Sequence, residues 1–179
     1  MIRHRFGVLA IAVLATTTGK APLAQTAKPG VFIQTNISAA KIAQSDHRYL
    51  VDISLLASDF EEMFQKSGGE RVGVDLSQPG ALEREIGRFV QSRVAVREDK
   101  GTACEGRVER AGEDPTNDEA VLVVLSFNCA GHDVTYDATK LLSTQGPRAW
   151  QVVTIIRGEK SLQVMVNGES PPVAVSGAQ

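Results

Sequence analysis

The sequence predicts a mainly β domain with two short helices, arranged as an immunoglobulin-like β-sandwich of about seven strands. Residues 49–55 (YLVDISL) alternate between two faces with a period of two, which is typical of a strand with one buried face. Residues 120–128 (AVLVVLSFN) form the most apolar stretch after the N-terminal segment and predict a buried strand. Residues 150–166 (WQVVTIIRGEKSLQVMV) place two apolar runs around a glycine-containing turn, a hairpin pattern. Short strands separated by turns favour the sandwich.

Both helices are predicted directly after the first strand, before the remaining strands. In the first helix, Phe60, Met63 and Phe64 form a short apolar stripe that Gly68 and Gly69 end. The second helix carries apolar residues at i, i+4, i+7 and i+8, which are Leu82, Ile86, Phe89 and Val90. After this helix the pattern changes to short strands with polar turns.

The chain divides into three segments. Residues 1–27 combine a basic start, an apolar run of ten at residues 6–15 and a small polar end, the layout of a secretory signal peptide. Ten apolar residues are too few for a helix that spans about 30 Å of hydrocarbon. Residues 28–168 then form a single exported β-rich domain, and residues 169–179 are expected to be a flexible tail. We therefore predict an exported protein, periplasmic or associated with the cell envelope, with no membrane span in the mature chain.

Composition argues against nucleic acid as a partner. Loss of residues 1–27 removes three basic residues, so that 16 basic residues face 21 acidic ones and the formal charge changes from −2 to −5. Nucleic-acid binding depends on a basic surface that neutralises phosphates. Aromatic residues are only 5% of the chain, which also disfavours a stacking surface for bases.

The two cysteines, Cys104 and Cys129, allow three interpretations. An even number of cysteines in an exported domain favours a disulfide, which would close a loop of about 25 residues. A metal site is the second interpretation, since the stretch SFNCAGHD places His132 and Asp133 close to Cys129, and His47 could add a ligand. No CxxC or HxxxH pair prearranges such a site, however. A reactive thiol is the third, and a disulfide would abolish it.

No pattern in the sequence predicts an enzyme. The serines lack the GxSxG and SxxK contexts of known nucleophiles, and Gly68-Gly69 lacks the following Lys-Ser/Thr of a phosphate-binding loop. We therefore expect no catalytic residues and no cofactor. A titration with nickel, zinc and copper tests the metal-binding alternative at His47, His132 and Asp133.

The order of these motifs resembles one known family. The strand and helix YLVDISLLASDFEEMF, the helix LEREIGRFVQSRVAV, the turn DKGTAC, the strand VLVVLSFNC and the final hairpin resemble the periplasmic N-terminal domain of HupE/UreJ-type membrane proteins. These proteins are named for hydrogenase and urease accessory functions. The resemblance covers residues 31–168, and Cys104 and Cys129 match the two cysteines that recur in the family.

The resemblance implies a role in metal uptake or in the maturation of metalloenzymes, with two departures. Many such domains carry an acidic DxDxDG loop after the first helix, whereas this chain has SGGERVGVDLSQPG, without oxygen ligands for calcium. The family also continues into transmembrane helices, which would carry transport. We therefore expect a non-enzymatic accessory or protein-interaction domain that binds a protein of the cell envelope. A small-ligand or metal-binding domain is the alternative.

Overall fold

The computed structural model describes residues 36–67, 80–99, 101–131 and 133–176. Within these ranges it contains nine strands and three helices. In chain order these are β1 (Ile37–Ser45), β2 (Arg48–Leu56), α1 (Ala57–Lys66), α2 (Ala81–Gln91), β3 (Ala95–Glu98), β4 (Glu105–Asp114), β5 (Asn117–Asn128), β6 (Val134–Asp137), α3 (Thr139–Gln145), β7 (Trp150–Arg157), β8 (Lys160–Asn167) and β9 (Val173–Ala174).

Six strands form one sheet in the order β4-β5-β2-β1-β7-β8. All neighbours are antiparallel except β1 and β7, which run parallel in the middle of the sheet. A parallel pair needs a crossover connection. Here the chain between β1 and β7 includes all three helices and the strands β2 to β6, so the parallel pair joins segments that are distant in sequence.

One face of this sheet is buried. Alternate residues of β2 point to it, from Tyr49 to Leu55, and they are at most 1% exposed. The helices α1, α2 and α3 pack on this face, with Phe60, Met63, Phe89 and Leu142 among the residues that join the core. An antiparallel sheet with a period-two pattern buries one face in this way. We call it the covered face.

The second sheet, in the order β3-β6-β9, lies on the same side. A buried chain of hydrogen bonds connects the two sheets: the Tyr136 hydroxyl donates to Gln151 Oε1 at 2.9 Å, and Gln151 Nε2 donates to Ser38 Oγ at 3.3 Å. Burial raises the pKa of Tyr136, since an ionised phenol would lose its hydration. The phenol therefore stays a hydrogen-bond donor within the core.

The predicted mainly β fold is confirmed, whereas its details differ. The described residues hold three helices in place of two and nine strands in place of about seven, in a sandwich-like arrangement of two sheets. The first two helices follow the second strand, because the sequence ISAAKIAQS at residues 37–45 forms an unpredicted strand, β1. Alanine has little preference for strands. This segment is a strand because β2 and β7 pair with it on both sides.

The end of the chain also differs from the expected flexible tail. Within residues 169–176, β9 pairs with β6, and Val175 is 2% exposed. The backbone N–H of Val175 donates to Val134 O at 2.8 Å, and Arg157 Nε donates to Val175 O at 2.9 Å. Residues 177–179 and the predicted signal peptide at residues 1–27 lie outside the described residues.

Candidate functional site

Cys104 and Cys129 form a disulfide, as their even number in the sequence predicted. Their Cα atoms are 4.9 Å apart. Cys129 ends β5 of the large sheet and its N–H donates to His47 O, whereas the Cys104 N–H donates to Val96 O of the small sheet. Cys104 directly precedes β4 and Cys129 directly follows β5, next to the register pair Glu105–Asn128, so the disulfide links the ends of two neighbouring strands of the large sheet. Among the described residues it leaves no free thiol for nucleophilic or metal chemistry.

The turn after Cys129 is held by a carboxylate. Glu98 Oε1 accepts hydrogen bonds from the N–H groups of Ala130 at 2.6 Å and Gly131 at 3.0 Å. A carboxylate that accepts two backbone N–H groups fixes a turn through charge-assisted bonds. Glu98, at the end of β3, therefore stabilises the turn within the SFNCAGHD stretch.

Asp133, a predicted metal ligand, lies next to Asp99. The Asp99 N–H donates to Asp133 O at 3.1 Å. Desolvation raises the pKa of Asp99. The charge of Asp133 and a hydrogen bond between the two side chains raise it further. Burial raises the pKa of Tyr49, and the charge of Asp133 raises it further. No described residue forms a hydrogen bond with the Tyr49 hydroxyl. The negative charge of Asp133 therefore favours the neutral, protonated form of Asp99.

The other two predicted ligands are only partly located. His47 lies in the turn between β1 and β2, where its carbonyl accepts the Cys129 N–H. His132 lies outside the described residues. Within the described ranges no group of three or more His, Cys, Asp or Glu side chains is arranged to hold a metal ion. A metal site at His47, His132 and Asp133 stays a prediction.

The opposite face of the large sheet is the more unusual feature, and we call it the open face. It presents the alternate residues of the six strands, and none of them belongs to the buried cluster that the helices cover. Two rows cross the strands in register. One row contains Ser126, Leu50, Ala43 and Ile156, and the other contains Leu122, Ser54, Ala39, Val152 and Met165.

These rows are mostly apolar, although solvent reaches them. Met165 is 56% exposed and Trp150, at the end of β7, is 39% exposed. Leu50, Val124 and Val152 are partly exposed. A sheet with one solvated face ordinarily alternates apolar and polar residues, so that the solvated side is polar. Large contiguous apolar surfaces on a protein mark interaction sites.

A polar row divides the open face. Its centre is Asp52, which lies opposite Lys41 on β1. Burial raises the pKa of Asp52, whereas the ammonium of Lys41 acts in the opposite direction. One positive and one negative charge lie side by side, so the middle of the face carries no net charge.

The β4 edge of the open face is more strongly polar. Glu109 Oε1 accepts hydrogen bonds from Ser126 Oγ and, at 2.8 Å, from Arg48 Nη2. The pKa of Glu109 is lowered, mainly by the hydrogen bond from Ser126 and to a smaller extent by the positive charge of Arg48. The apolar area is therefore bounded by a charged rim on this side, as in many protein interfaces.

The sequence contained a signal for the open face, but its meaning was ambiguous. Residues 120–128 are apolar at nearly every position, which predicted a strand buried on both sides. In the structure Val123 and Leu125 are fully buried, whereas Leu122 and Val124 point to the open face. A strand has the same continuous apolar sequence whether helices of its own chain or a partner protein cover its second face.

No helix in the described part of the chain is long and apolar enough to cross a membrane. Neither a protein-family model nor a curated protein sequence matches this chain.

Proposed function

We propose that this chain is a non-enzymatic, exported accessory domain that binds a protein of the cell envelope through the open face. The observation that carries this proposal is the group of solvent-accessible apolar residues on one sheet face, while the helices and the small sheet already pack on the opposite face. The partner is a protein that presents a largely apolar, uncharged surface. It needs no charge opposite Lys41 and Asp52, since these neutralise each other.

The dimensions of the face suit a protein partner. Six strands spaced about 4.8 Å apart span about 24 Å, and eight residues of β7 extend about 26 Å. The resulting area of about 600 Å² approaches the roughly 800 Å² that each partner buries in a standard interface. A small ligand would leave most of this surface exposed.

The cellular location rests on separate arguments. The disulfide between Cys104 and Cys129 is compatible with an oxidising compartment. The signal-like residues 1–27 support export, and the resemblance to the periplasmic domain of HupE/UreJ-type proteins supports an accessory role at the membrane. We also propose that the sandwich is immunoglobulin-like, which the arrangement of the strands in two sheets supports. A small-ligand or metal-binding role for His47, His132 and Asp133 is the alternative.

A photo-crosslinker on the open face tests the proposal. We would incorporate benzoylphenylalanine at Val152 in the full chain, in cells of its source, and identify the crosslinked protein by mass spectrometry. We expect one abundant envelope protein as an adduct. Adding Met165→Glu should reduce this adduct at least tenfold, because a buried carboxylate without a partner costs several kcal/mol.

The chain offers a matched control. Leu82 on α2 is 56% exposed, the same fraction as Met165, and it lies on the helical side of the domain. Leu82→Glu should leave the Val152 adduct unchanged. Equal loss of the adduct in both variants, or no adduct at all, would contradict the proposal. A crosslink between two copies of this chain would show that the open face binds a second copy of the chain and not another envelope protein.

A further inference from the structure

A small basic cavity lies apart from both the open face and the disulfide. Its volume is about 210 Å³, and the residues that line it include Arg93, Arg97, Asp137 and Lys140. The arginines flank Ala95 at the start of β3, Asp137 lies opposite Ala95 on β6, and Lys140 begins α3. Three cations therefore converge from the segment between α2 and β3, from β3 and from α3, in a domain whose predicted net charge is negative.

Within the described ranges, these three cations have no carboxylate oxygen within 4.0 Å. Among the described residues, the ion pairs within 4.0 Å involve other side chains, and Asp137 uses Oδ1 to accept the Thr139 N–H at 2.9 Å. Lys140 Nζ donates to Ser92 O at 3.3 Å, and Arg97 Nη1 makes a long contact of 3.4 Å with Gly101 O. Most of their hydrogen-bonding capacity is therefore available to a ligand.

Arg93 makes a cation–π contact and two side-chain hydrogen bonds. Its guanidinium lies over the ring of Phe89, 3.6 Å from the centroid, and Nη1 donates to Phe89 O and to Ser92 Oγ. The Nε atom is buried and has no acceptor among the described residues. Burial lowers the pKa of Arg93. Phe89 and Ser92 thus hold the guanidinium in place beside the cavity. A guanidinium can bind carboxylates and phosphates in a bidentate manner, which an ammonium cannot.

We propose that this cavity is a binding site for a small dianion of the phosphate class, either free phosphate or a phosphate monoester group. Three cations and one carboxylate give the cavity a net charge of about +2, which matches a phosphate group at neutral pH. A volume of 210 Å³ lies below the 300–1,000 Å³ of sites for drug-sized ligands. It therefore suits a small group.

A titration of the full domain with inorganic phosphate, followed by ¹⁵N NMR at constant ionic strength, tests the site. We expect saturable shifts in residues 92–97 and 137–140, with a Kd of about 1 mM or tighter. Arg97→Gln with Lys140→Gln should weaken binding at least tenfold. Arg93→Lys keeps the charge but lacks the bidentate edge, so it should also weaken binding although the charge is unchanged.

The control removes the same number of charges elsewhere. Arg107→Gln with Arg110→Gln alters two exposed arginines of β4 and should leave the phosphate affinity unchanged. Equal weakening in the two double variants would show a general charge effect and overturn the site. Identical shifts with chloride, or no saturation at 10 mM phosphate (about tenfold above the expected Kd), would overturn it as well. Preference for malonate over phosphate would overturn the phosphate class.

Discussion

The two faces of the large sheet are built from the same strands but differ in what covers them. On β5, Leu125 points to the covered face and is fully buried, whereas Leu122 points to the open face and is partly exposed. On β7, Val153 is fully buried and Val152 is not. Both faces carry apolar residues such as these, so the hydrophobicity of a single residue does not separate the folding core from the surface that we propose binds a partner.

The difference shows where each face obtains its stability. Covered residues lose their contact with water when the chain folds, and this contributes about 25 cal/mol per Å² of apolar surface. Open-face residues keep part of that contact until a partner binds. Substitutions on the two faces should therefore separate into effects on folding and effects on binding.

The largest expected effect compares two leucines of one strand. Leu125→Ala should lower the free energy of unfolding by about 3–5 kcal/mol, because it leaves a cavity in the core. Leu122→Ala should lower it by about 1 kcal/mol or less, since solvent already reaches the side chain. Urea denaturation of the two variants measures both values. Equal losses would mean that the described open face is buried within the folded chain itself.

The next effect concerns the crosslink at the β4 edge of the large sheet. Cys104→Ala with Cys129→Ala removes a crosslink over a sequence separation of 25 residues, which should cost about 3 kcal/mol. Since the disulfide links the ends of β4 and β5, hydrogen exchange should increase more in these two strands than in β7 and β8. A uniform increase across the large sheet would argue against this local role.

The smallest effect is a pH dependence centred on the open face. Because the pKa of Asp52 is raised above 3.8 in the folded protein, the free energy of unfolding should fall as the pH rises from 3.8 through that pKa. Asp52→Asn should abolish this decrease, which denaturation at several pH values measures. Lys41→Met should raise the pKa of Asp52 further in a ¹³C NMR titration. An unchanged pKa would show that Lys41 does not act on Asp52.

Local patterns predicted much of the fold correctly. The period of two at residues 49–55 identified β2 and its buried face, and the 3.6-residue period from Leu82 to Val90 identified α2. The even number of cysteines in a chain with a signal-like start predicted the disulfide. These features depend on neighbours in sequence or on simple chemistry, which the sequence contains directly.

Other elements were not predictable from local patterns. The short helix α3 carries little periodicity over seven residues, and β9 has only two residues and depends on pairing with β6. The cations of the cavity come from β3 and α3, which are more than 40 positions apart in the chain. Their convergence is a property of the packing.

The sequence by itself determined the strand-rich composition, the crosslink between Cys104 and Cys129 and the apolar character of both sides of β5. Only the tertiary structure decided that β1 lies between β2 and β7 and that all three helices cover one side of the sheet. The physical reason is that an apolar residue has the same preference for burial on either face. Which face is buried within the chain depends on where distant elements pack.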